Sequence, residues 1–305
     1  MAEDSARERP TVVYVMGAGH SGSTILGVTL GNCRGFFYAG EVEEWLVKSG
    51  RPPWGESERT RFWANVARLV DGADLFGAQA NRCIERSSAL LRCDRWGARR
   101  RMLARYREVS QELLRAIAST AGASYVVDTS HFPLRARELK QLSGVDVFLV
   151  HLVRDPTAVV ASNLLELSPH EVAERRLRTL IMNSNLWLTQ LVSSAVFLTQ
   201  PRARRIFIRH EDFLADPEGV LEQLLRQIGS DAELPDLGSL SIGTPLEGNR
   251  LIRTERIALR RRPEHARSAE QQRMLTTRLL ARGWRPLLAR LRPVAAARAA
   301  PERVR

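Results

Sequence analysis

Thr11-Val12-Val13-Tyr14-Val15-Met16, followed at once by Gly17-Ala18-Gly19-His20-Ser21-Gly22-Ser23-Thr24, is the stretch that decides the fold. The first six residues are a β-branched, apolar run of strand length. The next eight form a glycine-rich turn, and Ser23 to Leu30 carries a helical pattern. Strand, tight turn and helix in that order aim backbone N–H groups and a helix N-terminus at an anion. On the P-loop pattern G-x-x-x-x-G-K-[ST], Gly17, Gly22 and Thr24 match, while Ser23 stands where the lysine belongs. That lysine bridges the β- and γ-phosphates of a nucleoside triphosphate. Its loss disfavours ATP or GTP hydrolysis and is compatible with the binding of a 5′-phosphate.

The same rhythm returns downstream. Tyr125-Val126-Val127 reads as a short strand ending in Asp128, and Pro133 to Leu142 as a helix. Val145 to Val153 is the clearest buried strand; Asp155-Pro156 then supplies an N-cap and a proline at the first helical position. That helix runs to about Leu165, and a long helix is expected over roughly 170–198. Arg205 to Arg209 is another strand, and Asp216-Pro217 opens a helix ending near Gly229. Strands alternating with helices predict an α/β fold: a P-loop-like parallel sheet covered by helices on both faces. Residues 41–121 form a helical insertion containing Trp45, Trp54, Trp63 and Trp96, which fit either an acceptor cavity or core packing. The loop 231–249 precedes two further helices, at about 268–282 and 284–292. The organisation expected is a disordered tail over 1–10, one domain over 11–293, and a flexible Arg/Ala-rich tail over 294–305.

Composition narrows the function. Of 305 residues, 44% are hydrophobic and 26% charged, as in an ordinary soluble domain. The net charge of +12 resides in residues 250–305, which hold 16 Arg against 4 Glu. The body is therefore balanced, which argues against nucleic acid as the main partner. The basic segment fits compositional bias, or a rim attracting an anionic ligand or a membrane surface. Cys33, Cys83 and Cys93 are odd in number and lack metal spacing. With a charged N-terminus and no apolar stretch near membrane-spanning length, the reading is a cytoplasmic protein without a transmembrane segment, leaving room for peripheral membrane contact.

A second constellation, Arg154-Asp155-Pro156 with Ser162, follows the strongest strand. Arg at the C-terminal end of a parallel strand lies over the ligand edge of the sheet, and Arg plus hydroxyl is a compact phosphate site. With both constellations in place, the chain resembles the PAPS-dependent sulfotransferases, in particular the bacterial branch related to tyrosylprotein sulfotransferases. Gly19-His20-Ser21-Gly22-Ser23-Thr24 is similar to their 5′-phosphosulfate loop, and Arg154 through Ser162 to their 3′-phosphate motif. Ala39-Gly40-Glu41, Val127-Asp128-Thr129-Ser130, His210-Glu211-Asp212-Phe213 with Asp216-Pro217, and Gly248-Asn249-Arg250 fall in the same order.

The resemblance implies a donor, 3′-phosphoadenosine 5′-phosphosulfate (PAPS), with 3′-phosphoadenosine 5′-phosphate as its product. It also implies a hydroxylated small-molecule or glycolipid acceptor and no metal. Gly19 to Thr24, Arg154 and Ser162, with Arg250 or Arg253 from the late segment, are the implied donor-binding residues. Relatives carry Arg or Lys where His20 stands and often Lys where His131 stands, so a cationic role there requires protonated histidine. Acceptor activation needs a general base: Glu41 ranks first, His131 second and His20 third. His151, in the middle of an apolar strand, reads as a core residue. A kinase or NTPase is the competing reading, with Asp128 as a metal-linked acid; a third is an anion-binding protein acting through its Arg-rich C-terminus.

Overall fold

The computed structural model describes residues 9–53, 55–72, 76–77, 81–164 and 175–259, with isolated positions at 279, 282, 283 and 291. Trp54, His170, His265, the start of the long helix and most of the two C-terminal helices therefore lie outside the described residues. In chain order the main elements are β1 (Thr11–Gly17), α1 (Ser23–Gly31), β2 (Phe36–Gly40), α2 (Glu43–Val47), α3 (Glu58–Ala67) and α4 (Trp96–Ala121). They continue as β3 (Tyr125–His131), α5 (Pro133–Leu139), β4 (Asp146–Val153), α6 (Pro156–Leu164) and α7 (Arg175–Leu198). Last come β5 (Arg205–Arg209), α8 (His210–Ala215), α9 (Pro217–Ile228), and the two-residue strands β6 (Leu240–Ser241) and β7 (Arg256–Ile257).

β1 to β5 form one sheet in the order β2-β3-β1-β4-β5, with every pairing parallel. The period-2 pleat explains why β1 is apolar on both faces. Val12, Tyr14 and Met16 point into one core with α4, α5 and α7; Val13 and Val15 point into the other with α1 and α9. β4 divides likewise, Val147 and Leu149 to one side, Phe148 and Val150 to the other. Each such buried side chain contributes about 1.5–3 kcal/mol, so β1 and β4 form a rigid spine beneath whatever sits at their ends.

The capped helix starts expected from sequence are present. Asp155 Oδ1 accepts from the N–H groups of Thr157 (2.8 Å) and Ala158 (3.3 Å) at the start of α6. The Asp216 side chain accepts from Gly219 N at the start of α9, which ends on left-handed Gly229. Three details differ from expectation. β3 continues past Asp128 to His131: Asp128, Thr129 and Ser130 are buried in the strand, with Ser130 N donating to Asp128 Oδ1 at 2.9 Å, rather than entering a loop. The insertion is less regular than read: α2 and α3 are short, and residues 81–95 form a π turn and two 3-10 turns before α4. The loop 231–249 contains β6, which pairs antiparallel with β7.

Candidate active site

Strand order converts distant sequence segments into neighbours. Met16 pairs with His131, Gly40 with Asp128, and Gly17 with Leu152. Along the carboxyl edge of the sheet, Glu41, His131, the glycine-rich loop and Arg154 therefore follow one another, at the end of β2, β3, β1 and β4. This is the edge where open α/β sheets hold ligands.

The loop is held in a tight, left-handed turn. Gly22 has φ 91°, left-handed, and a Cβ there would collide with the His210 imidazole. Glycine is required at this point by backbone and packing together. His20 adopts φ 60°, and His131 φ 56°; left-handed non-glycine residues are uncommon and gather at functional sites. Ser21 Oγ is buried and has no hydrogen-bond partner, an orphaned donor within the loop that a bound anion could satisfy. Ser23 and Thr24 lie in the first turn of α1, which carries no acidic residue to repel an anion. The Tyr38 hydroxyl lies 3.4 Å from Thr129 Oγ1 and also engages Thr24, and burial holds this phenol's pKa up at about 12.

Arg154 closes onto the loop. Its Nη1 donates to the His20 carbonyl at 2.9 Å, and Ser162 Oγ lies 3.5 Å from His20 Nδ1. The two constellations that the sequence marked as candidate anion sites therefore meet at His20. Burial lowers the Arg154 pKa, opposed by the charges of Glu211 and Asp155. Glu211 also steadies this corner, its Oε1 accepting from Asp155 N at 2.7 Å.

Glu41 follows a second left-handed glycine. Gly40 has φ 80°, and a Cβ there would strike the Glu247 carbonyl. Glu41 N donates to that same carbonyl at 3.0 Å, and Leu246 N to Ala39 O at 2.9 Å. The segment 244–249 thus straps the end of β2. Glu41 precedes α2 and is partly buried, not a solvated first-turn carboxylate. Burial, reinforced by Glu44, Glu247 and Asp128 against Lys48, raises its pKa to about 7. That is the range in which a carboxylate accepts protons effectively near neutral pH. His131 moves the other way: burial, with Arg86 and His20 nearby, lowers it to about 4, so it is neutral at pH 7 and supplies no cation.

Behind these groups lies a buried polar network. Asp128 Oδ1 accepts from Ser130 N (2.9 Å) and from the Ser130 hydroxyl, while Oδ2 accepts from Arg135 Nε (3.2 Å) and Nη2 (3.1 Å). Arg135 Nη1 donates onward to the Tyr106 hydroxyl (2.9 Å) and Glu85 Oε1 (3.3 Å). Glu43 N donates to Ser130 Oγ at 3.2 Å. Both oxygens of Asp128 are committed to protein donors, which removes the specific support for a metal-linked acid and with it for the kinase reading. Among the described residues, no three His, Cys, Asp or Glu side chains are grouped to hold a metal ion.

The model of the sulfotransferase family matches residues 10–234 of this architecture. The chain belongs to that family. No curated protein matches it. Among solved structures, this sulfotransferase is similar to the sulfotransferase domain of the Synechococcus PCC 7002 olefin synthase, with 20% identity and TM-score 0.45 over 92% of this chain and 96% of that one. It is similar to the sulfotransferase domain from the curacin biosynthetic pathway, with 16% identity and TM-score 0.43 over 89% and 98%. It is also similar to sulfotransferase STF9 from Mycobacterium avium, with 14% identity and TM-score 0.47 over 73% and 64%.

Other candidates in this sulfotransferase separate cleanly. Gly248 lies beside Tyr38 and Thr24, so the late segment does reach the loop. Arg250 and Arg253 sit on an exposed 3-10 turn following it, with no described contact to the loop. His151 is a core residue, packed against Phe197 and Phe207 and 3.3 Å from Gln190 Nε2. Trp45 and Trp63 are buried core rings 5.6 Å apart, whereas Trp96 is exposed. Sequence reasoning missed the packing of the His210 ring on Gly22, Tyr38, and the pairing of Asp128 with Arg135 and Glu85. Only the apolar setting of Asp128 in its strand hinted at the last. A groove of about 1280 Å³ bordered by Arg9, Thr11, Gln111, Tyr125 and Asp146 lies at the opposite, amino edge of the sheet and contains none of the site residues.

Proposed function

We propose that this sulfotransferase moves a sulfuryl group from PAPS to a hydroxyl of a small-molecule or glycolipid acceptor. The observation that carries the proposal is the contact of Arg154 and Ser162 with His20, which brings a second anion site onto the glycine-rich loop. PAPS presents a 5′-phosphosulfate and a separate 3′-phosphate, and two adjoining anion sites on one edge suit that pair of charges.

In this reading, the loop N–H groups with Ser21, Ser23 and Thr24 hold the 5′-phosphosulfate, while Arg154 and Ser162 hold the 3′-phosphate. Bound there, PAPS supplies an activated sulfuryl group. The chain's own work is positioning and stabilisation of charge on the leaving phosphate. Glu41 takes the acceptor hydroxyl proton onto its carboxylate. His131, neutral, and His20 border the same space and provide imidazole N–H or acceptor groups. The sulfuryl group carries less charge than a γ-phosphoryl, which is consistent with serine at position 23 in place of lysine.

Thermal unfolding tests the binding half of this reading. 3′-Phosphoadenosine 5′-phosphate should raise the melting temperature in a concentration-dependent way without added metal. Stabilisation by Mg-ATP alone would overturn it, and stabilisation by any polyanion would favour simple anion binding.

A further inference from the structure

The helical insertion ends in an apolar tip with a basic surround. Between the buried Glu85 and the buried Arg99, the chain makes two 3-10 turns and enters α4. Leu91 is 69% exposed, Trp96 50% and Leu90 36%. Within residues 86–101, Arg86, Arg92, Arg100 and Arg101 are exposed, and Asp94, the one acid of that stretch, pairs with Arg92 at 2.8 Å. The two ends of the tip are anchored: Glu85 accepts from Arg135 and Tyr106, and Arg99 donates to Glu138 at 3.1 Å. The fold thus holds leucine and tryptophan out into solvent on a fixed support.

We infer that this tip docks onto an anionic lipid bilayer, with Leu90, Leu91 and Trp96 entering the headgroup boundary and the arginines meeting lipid phosphates. Charge decides among the occupants. A second copy meeting the first tip to tip would set Arg100 and Arg101 against like charges. An anionic surface complements them, and Trp and Leu beside Arg is the side-chain set that partitions into a membrane interface. No described helix is long and apolar enough to cross a membrane, so the contact is peripheral.

The tip also adjoins the candidate site. The Arg86 guanidinium carbon lies 5.6 Å from the centroid of the Phe132 ring, and that ring lies 4.3 Å from the ring of His131. A bilayer seated on the tip would present its own hydroxylated molecules to the site mouth; this last step alone rests on the sulfuryl-transfer reading.

The test needs neither donor nor acceptor. The full-length chain is mixed with vesicles of phosphatidylcholine, with or without phosphatidylglycerol, and binding is read by co-sedimentation. Binding to the anionic vesicles is expected, weakening about fivefold for Arg92→Gln or Arg100→Gln and about 100-fold for Leu91→Ser combined with Trp96→Ser. An unchanged thermal unfolding curve shows that the double variant is folded. Brominated lipid should quench tryptophan emission in the native chain, and Trp96→Phe should remove that quenching while retaining binding. Absence of vesicle binding overturns the inference. So does anionic binding that survives the double variant, since the arginine-rich segment beyond residue 259 would then account for it. A concentration-dependent dimer in sedimentation velocity that Leu91→Ser abolishes would instead assign the tip to a second copy.

Discussion

Replacing Glu41 by glutamine separates a catalytic carboxylate from a structural one. Burial and the neighbouring Glu44, Glu247 and Asp128 raise the Glu41 pKa to about 7. The ionised fraction then falls about tenfold per pH unit below 7, so at pH 5 roughly 1% remains. If Glu41 accepts the acceptor proton, the native kcat should follow that fraction, with an acidic limb near pH 7. Glu41→Gln should lower kcat by roughly 10²–10⁴-fold and abolish the limb. Binding of 3′-phosphoadenosine 5′-phosphate should be nearly unchanged, because a carboxylate does not help to hold an anion. Stability gives an independent sign. The folded pKa lies above the usual 4.5, so the folded state binds more protons than the unfolded between about pH 4.5 and 7. Native stability contributed by this group therefore declines as pH rises through that window, and Glu41→Gln should flatten the decline. The assay is steady-state transfer against pH with an alkyl alcohol acceptor, since a phenol with pKa near 10 needs less assistance. The reasoning fails if Glu41→Gln keeps its rate while His131→Ala or His20→Ala loses it. A limb near pH 4 would point to His131, whose pKa burial lowers to about that value.

Three other substitutions probe the supports. Arg154→Ala should weaken 3′-phosphoadenosine 5′-phosphate binding by about 1.5–3 kcal/mol, roughly 10- to 150-fold, as for a lost hydrogen bond to a charged group; an unchanged dissociation constant in calorimetry would remove Arg154 from the site. Gly22→Ala should destabilise the fold by at least about 1–2 kcal/mol from its left-handed backbone alone, with further loss as the His210 ring is displaced. A native-like denaturation midpoint for that variant would show that the loop is not held as described. Arg135→Met leaves Asp128 and Glu85 buried without their cation and should cost about 3–5 kcal/mol. Urea unfolding reads this directly, and a loss below about 1 kcal/mol would show that the network is weakly coupled to the fold.

The sheet was legible because its strands are buried on both faces and punctuated by strong helix starts. β1, β4 and β5 read as apolar or β-branched runs, and Asp155-Pro156 and Asp216-Pro217 marked the helices after them. The positions of the two candidate constellations were legible for a similar reason: a glycine turn follows β1 and an arginine follows β4. What did not show was the contact between them, since Arg154 meets a backbone carbonyl of residue 20, and carbonyls carry no sequence signature. His210 was equally hidden, because its role is to fill the space above Gly22. The insertion misled the reading for a physical reason. Its short turns are fixed by Glu85, Arg99, Arg135 and Glu138, charged residues paired across 39 residues for Arg99–Glu138 and 50 for Arg135–Glu85. Periodicity assigns such residues to a solvated face, and only tertiary pairing brings them inside.

The proposed donor is PAPS and the proposed acceptor a hydroxyl. The most direct measurement is a transfer reaction with purified protein and PAPS, without metal, against a panel of alcohols, phenols and glycolipids. Products are read by mass, and 3′-phosphoadenosine 5′-phosphate release is followed in parallel. The account predicts a sulfated product formed in step with 3′-phosphoadenosine 5′-phosphate, and lost in Arg154→Ala at limiting donor. Failure of the protein to bind or consume PAPS, together with metal-dependent hydrolysis of ATP, would contradict it.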